Sequence, residues 1–561
     1  MDKKTGIGIG LIFLLIILIP FYQRLLNRIF QTTPPPIIST DTIKTSSLPD
    51  EDIPAPNESM DTIVSEPNVE LLLPDTTRPI VFDTLENEWL QVVISNQGGL
   101  IHALYLKHYE TIVTDSQRFV VQLIQQDSSK AMNHILFLGA QQIDLSHFFF
   151  DFQKTTTRIT ATAKIPVQSD TLEFTKIFQF GSREYSIDYQ YKVKTTHKID
   201  KHLVVWDGAM NPSEIDIAND MGYFKAFTKM GEIVAEEDIA DDKEMVTIER
   251  NGQTHWIALK TKFFLTAMIT RDIPAAGLIL KGQKYADNDR YMYGALLFRE
   301  KGLLANQITL YAGPMDYSEL KSLDIMLDKT VSMGNIVIKP FSYLITWMLI
   351  FLNKITSDFG LIIIIFSFVI KIITYPLTHK SYEASKRMSE LQPKIQELKE
   401  RFKDDPQKFN SATMQLYKTE KINPLGGCLP LILQMPIFFA LYRVFDSTIM
   451  LRNQDFLWIN NLAIKDPTYI LPIAMGVLML AQNMQTMKDP KQKFMIYLMP
   501  VMMVFFFKDL SAGLVLYWSC FNFFTIIQQE LVNRFWHGKA TQAVAKPAPT
   551  STVSQSRKPK K

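Results

Sequence analysis

The hydrophobic pattern of the chain changes several times along its length. It begins with an apolar run from Ile7 to Tyr22, which two lysines precede. Because no small-residue cleavage site follows this run, it predicts an uncleaved membrane anchor over residues 1–30. Residues 31–70 are rich in Pro, Ser, Thr and Asp, a composition typical of a disordered linker.

Residues 71–330 follow a period of two, the pattern of strands that bury one face. Tyr185, Ile187, Tyr189 and Tyr191 alternate with polar residues. Similar runs lie at Trp89–Ser95, Phe119–Gln125, Thr157–Ala163, Leu172–Phe180, Trp256–Ile269 and Gln307–Tyr311. The first of them ends in Asn96-Gln97-Gly98-Gly99, a turn sequence. Many strands without interleaved helices predict a large all-β supersandwich, closed by a short helix near residues 317–327.

Beyond residue 330 the chain has the pattern of an α-helical membrane protein. Five apolar runs have the length to cross a bilayer, with tilt or interfacial ends: Gly360–Tyr375, Leu429–Phe445, Tyr469–Met484, Phe494–Phe507 and Gly513–Ile527. With the N-terminal anchor they make six spans, five of them in a core over residues 358–536. The apolar run Val337–Leu352 predicts an amphipathic helix at the membrane interface within residues 331–357.

A helical hairpin is predicted over residues 380–422, between the second and third spans. Apolar residues at spacings of three and four run from Met388 to Phe402, and Asp404-Asp405-Pro406 ends that helix. A second helix carries Phe409, Leu416 and Tyr417. The hairpin is either a solvated spacer or a docking arm for a substrate or ribosome, and the pattern alone does not separate the two.

The distribution of charge predicts the orientation of these segments. Residues 31–330 hold 28 basic and 42 acidic residues, a net charge of −14, whereas the remainder has +16. The loop from His379 to Lys421 has ten basic and seven acidic residues, and the tail from Arg534 has seven basic and none acidic. By the positive-inside rule both termini and the hairpin are cytoplasmic, and the β domain lies on the outer side. The tail over residues 537–561 is predicted to be a basic arm.

No enzyme motif is found in the sequence. Phosphate-loop, nucleophile-elbow and His-Glu-x-x-His patterns are missing, so neither ATP hydrolysis nor hydrolase chemistry is indicated. The two cysteines, Cys428 and Cys520, lie in apolar runs and support neither a disulfide framework nor a metal site. The nine histidines are scattered, which is more typical of surface or packing residues than of metal ligands. We therefore expect no cofactor, no metal and no catalytic residues.

The most informative residue is Lys371. It lies eleven residues after Gly360, which is about 16 Å along a helix and therefore near the middle of a bilayer. Two interpretations remain open: the lysine extends its stem toward the cytoplasmic surface, or it lines a wet cavity open to the cytoplasm. The cavity would have polar walls from other spans: Gln434, Gln482, Asn483, Tyr517, Ser519, Asn522 and Gln528.

Several long motifs resemble one known family. They are Lys371-Ile-Ile-Thr-Tyr-Pro-Leu-Thr378, Leu391-Gln-Pro-Lys-Ile395, Lys421-Ile-Asn-Pro-Leu-Gly-Gly-Cys-Leu-Pro430, Gln434-Met-Pro436 and Gly513-Leu-Val-Leu-Tyr-Trp518. In order and spacing these are similar to the YidC/Oxa/Alb family of membrane protein insertases. The β region, with its Ser95–Gly99 turn and Tyr311-Ala-Gly-Pro314, resembles the large periplasmic domain of the Gram-negative members.

The resemblance implies an inner-membrane insertase and chaperone that hydrolyses nothing itself. It implies a hydrophilic groove, open to the cytoplasm, whose central cation transiently receives the polar segment of a substrate. The family usually has Arg at this position, and here Lys371 stands there. The implied groove residues are Lys371, Gln434, Tyr517, Trp518 and Asn522. The implied hydrophobic slide, along which the apolar helix of the substrate leaves, consists of Met435, Phe438, Phe439, Leu514 and Leu516.

The resemblance also implies partners. These are nascent integral membrane proteins, the Sec translocon including SecDF-type subunits, membrane lipid and the ribosome, the last through the hairpin and the basic tail. Two other classes of function stay open from the residues alone. The protein could be a secondary transporter that uses Lys371 for an anionic solute, or a tether whose spans only anchor the β domain. The spans show no internal repeat of the kind transporters often have, and a passive tether needs no central lysine.

Overall fold

The computed structural model describes residues 78–544, apart from 115–116, 125–129, 140, 168–169, 182, 209, 238–244, 286–288, 404, 421–428 and 487–492. The predicted anchor over residues 1–30 and the linker over 31–70 lie outside the described residues, as do residues 545–561 of the predicted tail. The remaining residues form a β domain followed by a helical region, which confirms the fold class predicted from the periodicity.

The β domain contains eighteen strands among the described residues. The strands are β1 (Phe82–Glu86), β2 (Leu90–Ser95), β3 (Leu100–Thr114), β4 (Gln117–Ile124), β5 (Asn133–Leu138), β6 (Gln141–Asp144), β7 (Asp151–Lys154), β8 (Arg158–Val167), β9 (Asp170–Phe180), β10 (Ser186–Lys194), β11 (Lys201–Asp207), β12 (Lys225–Met230), β13 (Ile233–Glu237), β14 (Val246–Lys260), β15 (Phe264–Thr270), β16 (Ala275–Tyr285), β17 (Asp289–Phe298) and β18 (Ala305–Pro314). The short helices α1 (Ile217–Gly222) and α2 (Tyr317–Ser322) accompany them.

These strands form two antiparallel sheets. The smaller has the order β1-β2-β3-β4. The larger has the order β6-β5-β11-β17-β16-β14-β15-β18-β10-β9-β8-β7, with β12 and β13 branching from β14. The alternation predicted at residues 185–193 is seen in β10 from Ile187 onward, where Ile187, Tyr189 and Tyr191 are buried and Asp188, Gln190 and Lys192 are not. Burying one face of each sheet against the other produces the core of the sandwich.

The predicted strand Trp256–Ile269 is wrong in one respect, because it is two strands. β14 ends at Lys260, and β15 returns beside it with Lys260 opposite Leu265. All seven residues of β15 are buried, and so are the polar residues Lys260, Thr261 and Lys262 where the chain turns. A strand that is buried on both faces gives no alternation from which to place its end.

The glycine turn between β2 and β3 is fixed by a buried lysine. Gly98 and Gly99 have φ values of 71° and 56°, in the left-handed region that glycine adopts without strain. Lys176 is fully buried, and its Nζ donates to the carbonyl oxygens of Gly98 at 2.7 Å, Gly99 at 3.2 Å and Met132 at 2.8 Å. Burial lowers the pKa of Lys176 well below its ordinary value. Three acceptors for its three donors make this a satisfied buried polar group.

Two histidines form a directional hydrogen-bond chain in the same core. The Nδ1 of His202 donates to the carbonyl oxygen of Leu303 at 2.9 Å, so its Nε2 accepts from Nδ1 of His134 at 2.7 Å. The Nε2 of His134 then accepts from the hydroxyl of Tyr189. Burial lowers the pKa of His202 to about 3 and that of His134 well below its ordinary value. These two histidines are packing residues held in the neutral form.

The helical region begins with an amphipathic helix, α3 (Lys339–Asn353), at the position predicted for the interfacial helix. Pro340 lies in its first turn, where the missing N–H costs no hydrogen bond. Ile345, Leu349 and Leu352 are buried, whereas Leu344, Trp347 and Phe351 are exposed. The helix therefore has a buried apolar face and an exposed apolar stripe, which water alone would not favour.

Seven further helices follow among the described residues. They are α4 (Phe359–Glu390), α5 (Gln392–Arg401), α6 (Pro406–Thr419), α7 (Leu429–Ser447), α8 (Ile470–Thr486), α9 (Lys493–Phe507) and α10 (Ala512–Val544). Within the described ranges, one stretch, Phe359–Pro376, is long and apolar enough to cross a membrane, and Ile470–Gln485 and Ile496–Phe507 are shorter apolar helices. The count of six spans stays a prediction. Since α10 runs on to Val544, the first residues of the predicted tail are helical.

α5 and α6 occupy the region of the predicted hairpin. Asp405 caps α6 by accepting from the backbone N–H groups of Gln407 at 3.2 Å and Lys408 at 3.0 Å. Lys394 on α5 pairs with Glu420 just after α6 at 2.6 Å. The helix that precedes them differs from the expectation, because α4 continues from its apolar part to Glu390 without interruption.

The β domain contacts the helical region through buried polar pairs. Arg452, in the segment after α7, donates to Glu214 at 2.6 Å, and the two side chains are 2% and 10% exposed. Lys262, beside β14, lies 3.5 Å from Asp446 near the end of α7. Desolvation raises the pKa of Glu214, although Arg452 opposes this shift. Ion pairs so deeply buried require accurate placement of both parts of the protein.

Candidate functional site

Lys371 lies in the helical bundle, twelve residues into α4, on the side that faces α10. Its side chain is 6% exposed. Nζ donates to Oγ1 of Thr525 at 2.7 Å and lies 4.6 Å from the ring centroid of Phe521. Of the two interpretations left open by the sequence, this geometry corresponds to an inward-facing ammonium rather than to a side chain extended toward a surface.

The partners of Lys371 are few for a buried cation. Thr525 is the one hydrogen-bond acceptor that the described residues supply to Nζ, and none of their carboxylates pairs with it. The hydroxyl of Thr525 also donates to the carbonyl oxygen of Phe521 at 2.7 Å, so both of its roles are used. An ammonium has three donors, and two of them therefore have no acceptor within the described part of the chain. A charge in this state needs a further partner or water.

A stripe of buried polar side chains continues along α10 from this point. Its members are Ser519, Asn522, Thr525, Gln528 and Gln529, all less than 10% exposed. Spacings of three and four place Asn522, Thr525 and Gln529 on one side of the helix, with Ser519 and Gln528 on its two flanks. α10 packs against both α4 and α8, and Asn483 of α8 is also buried. The polar residues of three helices therefore share one interior.

Much of this polar stripe has no protein partner. Within the described residues, Nδ2 of Asn522, Nδ2 of Asn483 and both amide atoms of Gln529 are buried without a hydrogen bond. The Nε2 of Gln528 donates weakly to Oγ1 of Thr378 at 3.4 Å. Native cores satisfy nearly all such atoms. The described part of α8 and α10 therefore contains buried amide groups whose hydrogen bonds the described residues do not complete.

The other predicted groove residues lie at different distances from this centre. Tyr517 is fully buried, packs on Phe521 at 5.9 Å between ring centroids, and has no hydrogen-bond partner for its hydroxyl among the described residues. Trp518 is half-buried and packs edge-on against Phe438 at 5.4 Å. Gln434 lies half-buried on α7. Lys371 and Tyr517 thus both contact the ring of Phe521, Asn522 is the next residue of α10, and Trp518 lies at the side toward α7.

The predicted slide residues fall into two groups. Met435, Phe438 and Phe439 are half-buried along α7. Leu514 and Leu516 on α10 are 1% and 6% exposed. Phe438 joins the two helices through Trp518 and also contacts Phe507 of α9 at 6.0 Å. In this arrangement the α7 residues border a surface, and the two leucines lie in the core.

Sequence reasoning missed the two residues that touch the ammonium, Thr525 and Phe521. The signal for Thr525 was present, because polar residues recur at intervals of three and four through an apolar helix at Ser519, Asn522 and Thr525. Phe521 gave no such signal, since an aromatic residue in an apolar run is most often packing. Among the described residues no group of His, Cys, Asp and Glu is arranged to hold a metal ion.

Comparison with known proteins gives matches over most of the chain. The family model described as YidC periplasmic domain matches residues 84–348, and the model described as 60Kd inner membrane protein matches residues 351–539. Membrane protein insertase YidC of Prosthecochloris aestuarii is 32% identical over 95% of this chain and 95% of that protein. The protein of the same name from Chlorobaculum tepidum is 31% identical over 80% of this chain and 81% of its own length. A solved structure described as an active YidC insertase is 16% identical, covers 82% of this chain and 94% of its own, and has a TM-score of 0.37.

Proposed function

The chain belongs to the YidC family of membrane protein insertases, and from this membership we propose that it inserts integral membrane proteins through a groove centred on Lys371. The groove is formed by the polar sides of α4, α8 and α10. The observation that supports the proposal is the pairing of Lys371, a buried ammonium with one acceptor and no carboxylate from the described residues. Family membership supports the class of activity, and the contacts of Lys371 support the position of the groove.

The groove acts by offering the ammonium to a polar or acidic segment of the substrate. Coulomb attraction is several times stronger at a partly buried site than in bulk water. A carboxylate or a carbonyl oxygen of the substrate supplies the acceptors that Lys371 lacks, and the unpaired Nδ2 groups of Asn483 and Asn522 donate to its backbone carbonyl oxygens. The groove therefore lowers the free-energy cost of moving the polar segment of the substrate into the membrane while that segment is bound.

Release requires that this interaction stay weak. Bringing two charges out of water costs several kcal/mol, which largely offsets their attraction. Thr525 and the ring of Phe521 hold the ammonium when no substrate is present, so the substrate exchanges one set of contacts for another. The polar segment can then move on while the apolar helix of the substrate leaves along Met435, Phe438 and Phe439 of α7. Leu514 and Leu516 join this path once α7 and α10 separate.

The topology proposed for the groove follows from charge. Six spans, with both termini, the hairpin and the basic tail in the cytoplasm, place the acidic β domain in the periplasm of a Gram-negative cell. In this orientation the groove opens toward the cytoplasm, where nascent membrane proteins arrive. We infer that α5, α6 and the tail contact the ribosome, and that the β domain and the core contact the Sec translocon, including SecDF-type subunits. A secondary transporter of an anionic solute receives no support from the relatives.

Insertion into liposomes tests the groove. The substrate is a small single-span protein with an acidic outer segment, and the insertase is wild type, Lys371→Arg, Lys371→Ala or Lys371→Met. We expect Arg to retain insertion and both neutral variants to lose about tenfold, the effect of one charge-assisted interaction. Ile372→Ala is the matched control, because Ile372 is the next residue of the same helix and is 57% exposed on its outer side.

Two outcomes would contradict the proposal. Equal insertion by all four proteins would show that the charge of Lys371 plays no part. Uptake of an anionic solute by wild type, with no insertion of the substrate, would favour the transporter instead.

A further inference from the structure

A second charged site lies outside the groove, where the β domain meets the helical region. A cavity of about 450 Å³ is enclosed by β12, β14, the segment 328–334, the first turns of α3 and the end of α7. Its charged lining residues are Lys225, Lys260, Lys329, Lys339, Arg443, Glu236, Asp328 and Asp446. The volume is within the range of small-molecule sites, and the cations outnumber the anions.

Two of the three anions of this cavity have a partner, whereas four of its five cations have no carboxylate partner among the described residues. Glu236 pairs with Lys225, and Asp446 accepts from the hydroxyl of Tyr223 and lies 3.5 Å from Lys262. Lys260 and Arg443 have no carboxylate of the described residues within 4 Å. The cavity therefore holds more unpaired positive than negative groups, and Lys260 on β14 and Arg443 on α7 are two of the positive ones.

Of these two cations, Lys260 is the stronger evidence for a bound anion, because it is only 5% exposed. The contact recorded for its ammonium is a distance of 5.8 Å from Nζ to the ring centroid of Phe227. Burial lowers the pKa of Lys260 to about 8; Lys225 and Arg443 add to this shift, and Glu236 and Asp446 oppose it. It remains mostly protonated at neutral pH, and a bound anion would restore its pKa. Buried ammonium groups are normally paired, so a ligand is the missing partner.

The position of the cavity indicates which anion it receives. Lys339 and Tyr343 line the cavity from α3. The exposed apolar stripe of the same helix, Leu344, Trp347 and Phe351, begins one residue after Tyr343. At the N-terminal end of the helix Ile336 and Val337 are 76% and 59% exposed. A ligand with a negative head and long apolar chains matches both features, because its head fits the cavity and its chains lie along the stripe.

We propose that Lys260 and Arg443 bind the phosphate of an anionic phospholipid from the outer leaflet of the membrane, with the acyl chains along the exposed side of α3. The site rests on the proposed orientation of the protein but not on the groove. Arg443 offers a planar donor fork and Lys260 a point charge, a combination suited to a phosphodiester. A bound lipid would join the β domain, α3 and α7 at one point.

Lipid binding by the full-length protein tests the site. Purified protein in detergent is titrated with phosphatidylglycerol, with phosphatidylcholine as the zwitterionic lipid, and with inorganic phosphate, and bound lipid is counted by native mass spectrometry. We expect phosphatidylglycerol to bind at least tenfold more tightly than phosphatidylcholine. Lys260→Met and Arg443→Gln should each remove most of this preference, whereas Arg443→Lys should retain part of it. Lys164→Met, an exposed lysine on β8, is the matched control and should change nothing.

The exposed Lys339 gives a variant that leaves the core intact. Lys339→Met, at the mouth of the cavity, should weaken phosphatidylglycerol several-fold. Equal binding of phosphatidylglycerol by wild type and by the Lys260→Met, Arg443→Gln double variant would overturn the proposal. If the protein bound inorganic phosphate but did not prefer phosphatidylglycerol to phosphatidylcholine, and if the same variants abolished phosphate binding, the ligand would be free phosphate and not a lipid. Insertion is measured in parallel, so that loss of the lipid site with normal insertion separates this proposal from that of the groove.

Discussion

The buried pair between the β domain and the helical region offers a quantitative test of how the two parts are held together. The perturbation is Arg452→Met, which keeps much of the side-chain volume and removes the charge. Arg452 loses its bond to Glu214 at 2.6 Å, its bond to the carbonyl oxygen of Ser213 at 3.2 Å and its position 5.2 Å from the ring centroid of Phe264. Glu214 is left buried in a place that already raises its pKa.

The expected cost is that of leaving one buried charge unpaired, about 3–5 kcal/mol. A loss of 3 kcal/mol in local stability increases the opening equilibrium on the order of 100-fold. Hydrogen exchange of the full-length protein measures this directly at the backbone amides of residues 213–222, which include the N–H of Ser213 bonded to Asp220 at 2.7 Å. Glu214→Leu combined with Arg452→Met should recover much of the loss, because an apolar pair carries no unpaired charge.

Lys194→Met is the control for this experiment. Lys194 and Glu173 pair at 2.8 Å with side chains 78% and 32% exposed, so removal of the lysine should cost less than about 1 kcal/mol. If Arg452→Met left exchange unchanged, or if the double variant were no better than the single one, the pair would contribute nothing to docking and the reasoning would be refuted.

Three further predictions concern other buried groups. Lys176→Met should lower the stability of the β domain by about 3 kcal/mol, because three buried carbonyls lose their donor; thermal unfolding checks it, and an unchanged midpoint would contradict it. The β domain should lose stability as pH falls below 6.5, the unfolded pKa of histidine, toward the value of about 3 for His202, since the folded state keeps the ring neutral while the unfolded chain takes up a proton. The slope should be about 1.4 kcal/mol per pH unit for each such histidine, and an acid titration in which His202→Asn has the same slope as wild type would disprove it. Thr525→Val should alter insertion through Lys371, because the ammonium loses its one acceptor among the described residues; insertion identical to wild type in the liposome assay would show that this contact is not used.

The periodicity of the sequence predicted much of the fold because burial imposes it. Apolar and polar residues alternate in β10 because one face of the strand is buried. In α3 one apolar face packs against the protein and a second apolar face is exposed. The end of β14 has only a weak sequence signal, the polar residues Lys260, Thr261 and Lys262, because these are buried and no glycine or proline accompanies them. Pairing across the sheet, such as β10 with β18, depends on contacts between distant residues that no local pattern encodes.

The same distinction holds for the candidate site. Lys371 could be recognised from the sequence because a cation in an apolar helix is costly anywhere in a membrane. Its contacts with Phe521 and Thr525 depend on the rotation of α10 relative to α4, which is set by packing. The cavity around Lys260 combines residues from five segments, and none of them is unusual in its own local sequence.

Helix α4 is long enough to join the predicted second span to the predicted hairpin. A helix of 32 residues is about 48 Å long, which exceeds the ~30 Å of a bilayer core by more than three turns. In the proposed topology, the helix that carries Lys371 therefore extends beyond the bilayer core and ends at Glu390, separated from α5 by one residue. Pro376 removes one backbone hydrogen bond five residues beyond Lys371, so bending would concentrate there. A force on the hairpin, such as that exerted by a docked ribosome, would therefore bend α4 at Pro376 and could shift the segment that carries Lys371.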